Sequence, residues 1–594
     1  MKNIKLSPAD SDKLGLVLSG ALNDFKEQYQ VDEPLDTTFE AFVNLLAWFS
    51  QTNEEPEIPE FYGHGAENGI DGVFFFVDDS PAATADEFIH LTKSKKRQPE
   101  VTIIFTQAKS ETSWKKGGIT TFHTGIADWL SPSPKMTWSD WHHEKREVLK
   151  AILSNATNIR DGKPKVQAIF ATATRNPRPD DIEGARSVLE DMLENFDMFA
   201  ECKATLWQEK DLVNHWNGLS APIKANSPIV DSMDFGPMPG IDTGHIVLIK
   251  AKDYVHRILS DDEGNLRKSI FDENVRDFLG EEEAVNSEIV KTLNMDESQS
   301  RFGILNNGIT IISPNAAIQS RNLQLENFQI VNGCQTSNVL WEKRELIGDD
   351  ATLVLKVIVS SDADIVASIV KSTNRQSQVD PTQFMAISEY SKNIERYFIE
   401  RTHTETSPMY FSRRTQQYRG NQDAIAYRTF DFKALGRCTA ALFFTLPHIA
   451  KRYPNELFKV VDGKEKRSWA EMIFHQDNRE EIFYTSVFCY NKLHSFLQNQ
   501  EFKEYNPAIY HLMAGIRQYV IKKPAQPSSK EIIKECKELE EFCRNLGSKN
   551  RKTMNLICQA LGDMGEINSD KLKSDSLTGQ FLDKVRTIRE AARS

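Results

Sequence analysis

The feature that most narrows the folds open to this chain is a pair of short apolar runs, Gly72-Val73-Phe74-Phe75-Phe76-Val77 and Val101-Thr102-Ile103-Ile104-Phe105-Thr106. The first is apolar at consecutive positions, so it has no face to offer water and reads as a strand in a sheet covered on both sides. It opens with Asn68-Gly69-Ile70-Asp71, a turn-forming pair followed by a single acid at the strand's start. In the second run, alternation places Val101, Ile103, Phe105, Gln107 and Lys109 on one face, so an apolar face ends in two polar heads. A carboxylate and an amide carbonyl are hard oxygen donors that suit Mg²⁺ or Mn²⁺, and a lysine beside them can orient an attacking water or steady a phosphorane's charge. Asp71, Gln107 and Lys109 are therefore candidates for phosphodiester hydrolysis. Taken one at a time, Asp71 also suits a turn acid, and Gln107 and Lys109 a strand leaving the core.

A strand acid followed by Gln-x-Lys at the end of a buried strand resembles the PD-(D/E)XK nuclease superfamily, in its Mrr-type branch, where Gln-x-Lys stands in for acid-x-Lys. The resemblance implies a restriction-endonuclease-like α/β domain and one further acid on an upstream helix. Thr38-Phe39-Glu40-Ala41-Phe42-Val43-Asn44-Leu45-Leu46-Ala47-Trp48-Phe49 reads as an amphipathic helix behind a cap-like Asp36, and Glu40 is the one carboxylate in that run. A solvated helix acid would look the same. The resemblance assigns Glu40, Asp71 and Gln107 as metal ligands and adds Lys109 as the fourth catalytic residue.

With 594 residues, 40% hydrophobic and 26% charged, the chain has material for several cored domains. Its net charge of −13 does not mark a nucleic-acid binder, so any phosphate-binding surface must be local. Local candidates are Lys93-Ser94-Lys95-Lys96-Arg97, Lys115-Lys116 and Arg413-Arg414, each of which also suits a solvated face. The seven cysteines have no Cys-x-x-Cys pair and are expected to be reduced thiols of a cytoplasmic protein. No signal-peptide core or membrane-length apolar window is read, and the adjacent His142 and His143 lack the spacing of a zinc site.

In chain order, the periodicity predicts a first helix near residues 8–30, the Glu40 helix, the two site strands with a short helix over 82–93 between them, and a loop over 110–124 that suits either a mobile cover of the site or an ordinary surface loop. Further elements are a helix at 140–154, a strand at 165–172, a helix at 180–195 and a strand at 202–207. Alternating helix and strand make residues 1–215 an α/β domain. Residues 216–243, interrupted by Pro222, Pro228, Pro237 and Pro239, read as a linker. From about residue 430 amphipathic and buried helical patterns dominate, so 431–594 is expected to be mostly helical.

Between these regions, the polar motifs Asn306-Asn307-Gly308 and Asn332-Gly333 sit at the edges of apolar runs and would place amides at strand ends. Asn307, Asn332, Gln335, Asn374 and Gln376 can donate and accept together, which suits reading a base or sugar rather than moving protons. Tying loops to the backbone is the alternative role. Arg413 and Arg414, set among Tyr410, Phe411 and Tyr418, suit stacking on bases and gripping phosphate, or a packed helix with a basic side. No Walker-type phosphate loop is present.

Five motifs occur in one order: Phe271-Asp272-Glu273-Asn274-Val275-Arg276-Asp277-Phe278-Leu279-Gly280, Val285-Asn286, Asn306-Asn307-Gly308-Ile309-Thr310, Gln329-Ile330-Val331-Asn332-Gly333-Cys334-Gln335-Thr336 and Ser372-Thr373-Asn374-Arg375-Gln376. The series is similar to the AIPR family, named for abortive infection and phage resistance, and implies an α+β core over 244–430. An Mrr-like domain often precedes this core in the family. The expectation is a metal-dependent nuclease of anti-phage defence, acting on nucleic acid with DNA ahead of RNA, whose central region senses or grips the target. A nucleotide or phage-derived trigger is a further expected partner, and cutting both strands of a duplex from one metal site favours a homodimer. The alternative is a catalytically inactive sensor that binds nucleic acid or nucleotide.

Overall fold

A computed structural model describes residues 4–56, 68–94, 97–261, 264, 266–271, 284–294, 299–373, 388–413, 417–418, 421, 423–452, 457, 468–499, 501–565, 567 and 569–592. The chain forms two compact units, Met1–Leu219 with Tyr390–Ser594, and Ser220–Glu389. Lys95, Lys96, Asn374, Gln376, Arg414 and most of the 271–280 motif lie outside the described residues.

The first unit opens with helices α1 (Pro8–Leu14), α2 (Leu16–Tyr29) and α3 (Leu35–Phe49), followed by strands β1 (Gly72–Val77) and β2 (Ser80–Pro81). Helix α4 (Ala85–Ser94) leads to β3 (Val101–Lys109), then α5 (Lys116–Leu130), α6 (Asp140–Ser154), β4 (Lys165–Thr172), α7 (Asp180–Glu194), β5 (Glu201–Trp207) and α8 (Glu209–Ser220). The strands form one sheet in the order β2-β1-β3-β4-β5. Strand β1 pairs antiparallel with β2 and β3, whereas β3, β4 and β5 run parallel.

Alternation sorts the strand side chains between two cores. Val73, Phe75, Ile103 and Phe105 pack with Phe122 and Trp129 of α5, Val148 and Ile152 of α6, and Leu189 of α7. Phe74, Phe76 and Ile104 pack with Phe25 of α2, Phe39 and Phe42 of α3, and Leu212 and Trp216 of α8. Both faces are covered, which is why β1 and β3 carry almost continuous apolar sequence.

Four sequence expectations change here. The first helix is two, broken at Gly15, whose φ of +81° an L side chain rarely adopts. Asp36 is not the cap of α3. That helix starts at Leu35 after Pro34, and the Asp36 carboxylate instead accepts the Ser110 hydroxyl. The expected loop over 110–124 becomes helical from Lys116, with Ile119, Phe122, Ile126, Trp129 and Leu130 as its buried stripe. Gly117-Gly118 and the threonines at 120, 121 and 124 hide that stripe, because their helix propensity is low. The linker expected over 216–243 instead holds the end of α8 and two strands, β6 (Lys224–Pro228) and β7 (Asp231–Asp234).

The second unit continues with β8 (Thr243–Lys250), β9 (Ile309–Ser313), β10 (Asn315–Gln319), β11 (Asn322–Glu326), β12 (Gln329–Asn332) and β13 (Thr352–Val359). One sheet runs β12-β9-β13-β8-β7 and a second runs β10-β11-β6. Helix Cys334–Glu342 follows β12, and its Val339 and Leu340 join Tyr254, Phe302 and Phe328 in the core.

The C-terminal segment is mostly helical, with Phe432–Phe443, Glu481–Leu497, Ile509–Val520, Ile532–Arg544, Arg551–Gly562 and Asp575–Ala591 among its helices. It packs with the N-terminal α/β part through Lys503 to Glu33 at 2.7 Å, Lys433 to Glu54 at 2.9 Å, and the Ala426 amide donating to Gln28 Oε1 at 3.2 Å. The compact division thus falls at residues 389 and 390, not at the expected 430 and 431, and helix Glu389–Thr402 opens the segment. All seven cysteines are free thiols, and among the described residues no helix is long and apolar enough to cross a membrane.

Helix α5 presses on the turn before β1 at Gly125, where a Cβ would run into the Asn68 carbonyl oxygen. Backbone cannot swing aside as a side chain can, so Gly125→Ala should lower stability by roughly 2 kcal/mol, read as a drop in urea midpoint. In the helical segment, burial lowers the pKa of His494 to about 4 and of His511 to about 3. Both are neutral in the folded protein at pH 7 and bind protons more readily once unfolded. Their stabilising contribution is complete above about pH 6.5 and is lost as pH falls toward 4, at up to about 1.4 kcal/mol per pH unit for each. His511→Gln should flatten that acid limb, checked by urea midpoints measured between pH 7 and pH 4.5.

Candidate functional site

Strand pairing brings the candidate residues to one end of the β1–β3 pair. Gly72 lies opposite Thr106, so Asp71 and Gln107 occupy the next opposed positions, where the Asp71 amide donates to the Thr106 carbonyl at 2.9 Å. The Asp71 carboxylate is buried at 3% exposure, and its Oδ2 accepts the Ala108 amide at 2.7 Å. Gln107 is 2% exposed, lies opposite Phe170 of β4, and shares the face of Ile103 and Phe105 by alternation. Lys109, partly buried, is the last residue of β3 and lies opposite Thr172 at the end of β4. These positions gather where two parallel strands end, the edge at which sites of open α/β sheets collect.

Helix α3 supplies the fourth residue through its 3.6-residue period. Asp36, Glu40 and Asn44 are spaced four apart and form one stripe. Its two ends are pinned: Asp36 takes the Ser110 hydroxyl just past β3, and Asn44 reaches the other side of the site. Asn44 Nδ2 donates to the Asp71 carbonyl at 3.1 Å, while its Oδ1 accepts the Thr106 hydroxyl at 2.5 Å. Glu40, partly buried, lies one turn from each anchor and therefore over the segment of β3 that holds Ala108.

Close approach here requires a glycine. A Cβ on Gly72 would lie 2.6 Å from Asn44 Oδ1 and 2.5 Å from Thr106 Oγ1. The preceding turn has positive φ at Asn68 (45°) and at Gly69 (91°), and a Cβ on Gly69 would meet the Thr121 carbonyl of α5 at 2.9 Å. From α6, buried His142 places Nε2 at 3.2 Å from the Ile70 carbonyl and Nδ1 at 2.8 Å from Ser139 Oγ. Burial lowers its pKa to about 4, so the ring is neutral near pH 7. Asn44 and His142 were not candidates from sequence. The signal for Asn44 was its place four residues after Glu40 in an otherwise apolar stretch. His142 gave none beyond its lack of a zinc-type partner.

The donor set can be tested against a metal ion. Gln107 Oε1 is buried and has no hydrogen-bond partner among the described residues. Leaving a carbonyl oxygen desolvated and unpaired is costly, and a cation is one partner that would satisfy it. The expected set of Asp71, Glu40 and Gln107 oxygens is the type that Mg²⁺ and Mn²⁺ take, with Gln107 on the Ile103 and Phe105 face of β3 and Glu40 on α3, which packs against the Ile104 and Ala108 face. Among the described residues no group of three or more His, Cys, Asp or Glu could hold a metal, and this set has two carboxylates and an amide.

The amides of the second unit also converge in part. Asn332 ends β12 opposite Thr310 of β9, and exposed Asn307 lies in the turn that enters β9, so both flank the same strand end. Gly308 (φ 75°) and Gly333 (φ 91°) shape the two turns, since a Cβ would come within 2.7 Å of the Val354 carbonyl oxygen and of Ile309 Cγ1 respectively. Gln335, 8% exposed, is in the first turn of helix Cys334–Glu342, which begins at the same place. Arg413 differs from expectation. Its guanidinium is buried and paired with Glu395 at 2.7 Å, so its charge is used inside the fold rather than offered to phosphate. Lys115 is exposed and pairs with Glu111 at 2.5 Å.

Comparison with curated proteins finds no match, and neither does comparison with solved structures. The family model described as AIPR protein does match, over residues 271–560, a stretch that runs from the second unit into the C-terminal helices.

Proposed function

We propose that this protein is a metal-dependent nuclease of anti-phage defence, which hydrolyses phosphodiester bonds at the Asp71, Gln107, Lys109 and Glu40 end of the β1–β3 pair. The AIPR match supports the defence role. The observation that carries the chemistry is the buried Gln107 carbonyl oxygen, unpaired among the described residues and one register position beyond the Gly72–Thr106 pair, where β1 is preceded by Asp71. Asp71, Gln107 and Glu40 would hold Mg²⁺ or Mn²⁺, which when bound lowers the pKa of water and polarises a phosphoryl oxygen. Lys109 orients the attacking water or stabilises charge as the phosphate is attacked. The Ala108 amide donates to the Asp71 carboxylate at 2.7 Å and so fixes one of its oxygens. DNA is the proposed substrate ahead of RNA, and one set per chain makes a homodimer the form that cuts both strands.

A second reading is a sensor that binds nucleic acid or nucleotide without cutting it. The meeting of Asn307, Asn332 and Gln335 at one strand end favours this role for the second unit, whether or not the first unit is active. In the nuclease reading, the same amides grip or sense the target.

Purified protein incubated with plasmid DNA, phage DNA and total RNA, with and without Mg²⁺ or Mn²⁺, is expected to cut DNA only with metal. Asp71→Ala and Lys109→Ala should each lower that rate at least about a hundredfold while the circular dichroism spectrum is kept. Cleavage retained in both variants would remove this site, and binding without cleavage under all conditions would favour the sensor. Gln107→Leu separates function from stability. Removing a buried unpaired carbonyl should raise metal-free stability by about 1 kcal/mol, seen as a higher melting temperature in EDTA, and should abolish metal-dependent cutting.

A further inference from the structure

We propose that Asn44 and His142 are positioning residues for the Asp71 carboxylate, clamping the peptide groups on either side of it from opposite faces of the sheet. This inference rests on the nuclease reading. Asn44 belongs to α3, which packs with Phe74 and Phe76, whereas α6, which carries His142, packs with Val73 and Phe75. Both side chains are fully buried. Asn44 Nδ2 donates to the Asp71 carbonyl at 3.1 Å, and His142 Nε2 lies 3.2 Å from the Ile70 carbonyl.

A carbonyl can only accept, so His142 carries its proton on Nε2, and Nδ1 accepts from the Ser139 hydroxyl. Asn44 is oriented in the same way, because Thr106 donates to its Oδ1 and leaves the amide nitrogen facing Asp71. Between the two clamps, the Asp71 amide and carboxylate are tied to Thr106 and Ala108 of β3. The backbone of residues 70–71 is thus bonded on three sides.

The clamps are needed because Asp71 precedes the regular part of β1 and follows a turn with two positive-φ residues. Ladder pairing fixes Gly72 onward, but not the peptide plane that aims the Asp71 side chain. A ligand set that includes an amide oxygen is a weak one, so it depends on its carboxylate being held in place. Outer groups that orient ligands typically change metal affinity or activity by 10- to 100-fold when removed, and a ligand misplaced by about 1 Å can cost a hundredfold in rate.

The test compares wild type, Asn44→Asp, His142→Ala, His142→Gln and Asp71→Ala. Asn44→Asp keeps shape but loses the donor, and His142→Gln can return an N–H near the Nε2 position. Readouts are Mn²⁺ binding by electron paramagnetic resonance, affinity for a fluorescein-labelled DNA duplex without metal, the single-turnover rate of supercoiled plasmid nicking in Mn²⁺, and melting temperature. Asn44→Asp and His142→Ala should bind the duplex as wild type does, bind Mn²⁺ about tenfold more weakly and nick 10- to 100-fold more slowly, with His142→Gln within about threefold of wild type. If folded Asn44→Asp and His142→Ala bind Mn²⁺ and nick like wild type while Asp71→Ala does neither, the clamp is wrong and the nuclease site stands. If His142→Gln is no better than His142→Ala, and both fall only in step with melting temperature, the role is structural and the clamp is likewise overturned. If Asp71→Ala binds Mn²⁺ as wild type does, the nuclease reading fails and the clamp's function goes with it.

Discussion

The approach of α3 to the β1–β3 pair, through the Asn44 amide, is the contact on which the candidate site depends. A helix that packs on a sheet by apolar side chains alone stands off by the thickness of those side chains. Here one amide touches backbone and hydroxyl directly, at 3.1 Å to Asp71 and 2.5 Å to Thr106, and Gly72 leaves the space for it. The contact fixes the rotation of α3 about its axis. With Asp36 pinned to Ser110 at the other end of the stripe, Glu40 is left over the end of β3 and cannot turn into the core. Sheet register then decides which strand residues it meets.

The sheet was legible because burial on both faces leaves a strong local mark. Strand β4 and helices α6 and Glu481–Leu497 lie where apolar pattern alone put them. Errors arose where local pattern and tertiary contact disagree. Helix α5 keeps two glycines and three threonines near its start, and Gly118 is there because a Cβ would press on Phe170 at 2.9 Å. Strand β7 is exposed at all four residues, so it has no alternation, and prolines and glycines on both sides made it look like linker. For the candidate site, the strand-end places of Asp71, Gln107 and Lys109 and the helical place of Glu40 could be read from the sequence. Asn44 and His142 could not, since each acts on a backbone atom far along the chain.

The division into units has a similar origin. The helical segment joins the N-terminal α/β part by contacts such as Glu33 to Lys503, which lie 470 residues apart, and no local pattern announces such a pair. The AIPR match spans both units, so its motifs describe a stretch of sequence rather than one compact body. Residues 271–389 contribute to the sheet with the converging amides, and residues 390–560 to helices that pack beside the candidate nuclease part.

Gln107 shows how cost and function meet in this site. Its strand face is otherwise Val101, Ile103 and Phe105, and a further apolar residue would extend the core without penalty. An amide there buries a carbonyl oxygen with no partner among the described residues, a choice that packing does not explain. Compared with a carboxylate at the same position, the amide is the smaller burden, since burying an uncompensated charge costs far more than burying a neutral dipole. In the proposed set it would also leave Asp71 and Glu40 as the two charged donors. A neutral third donor would therefore leave a site that the fold can tolerate without a metal, while Asp71 is held at its carboxylate by the Ala108 amide, at its own amide by the Thr106 carbonyl and at its carbonyl by the Asn44 amide.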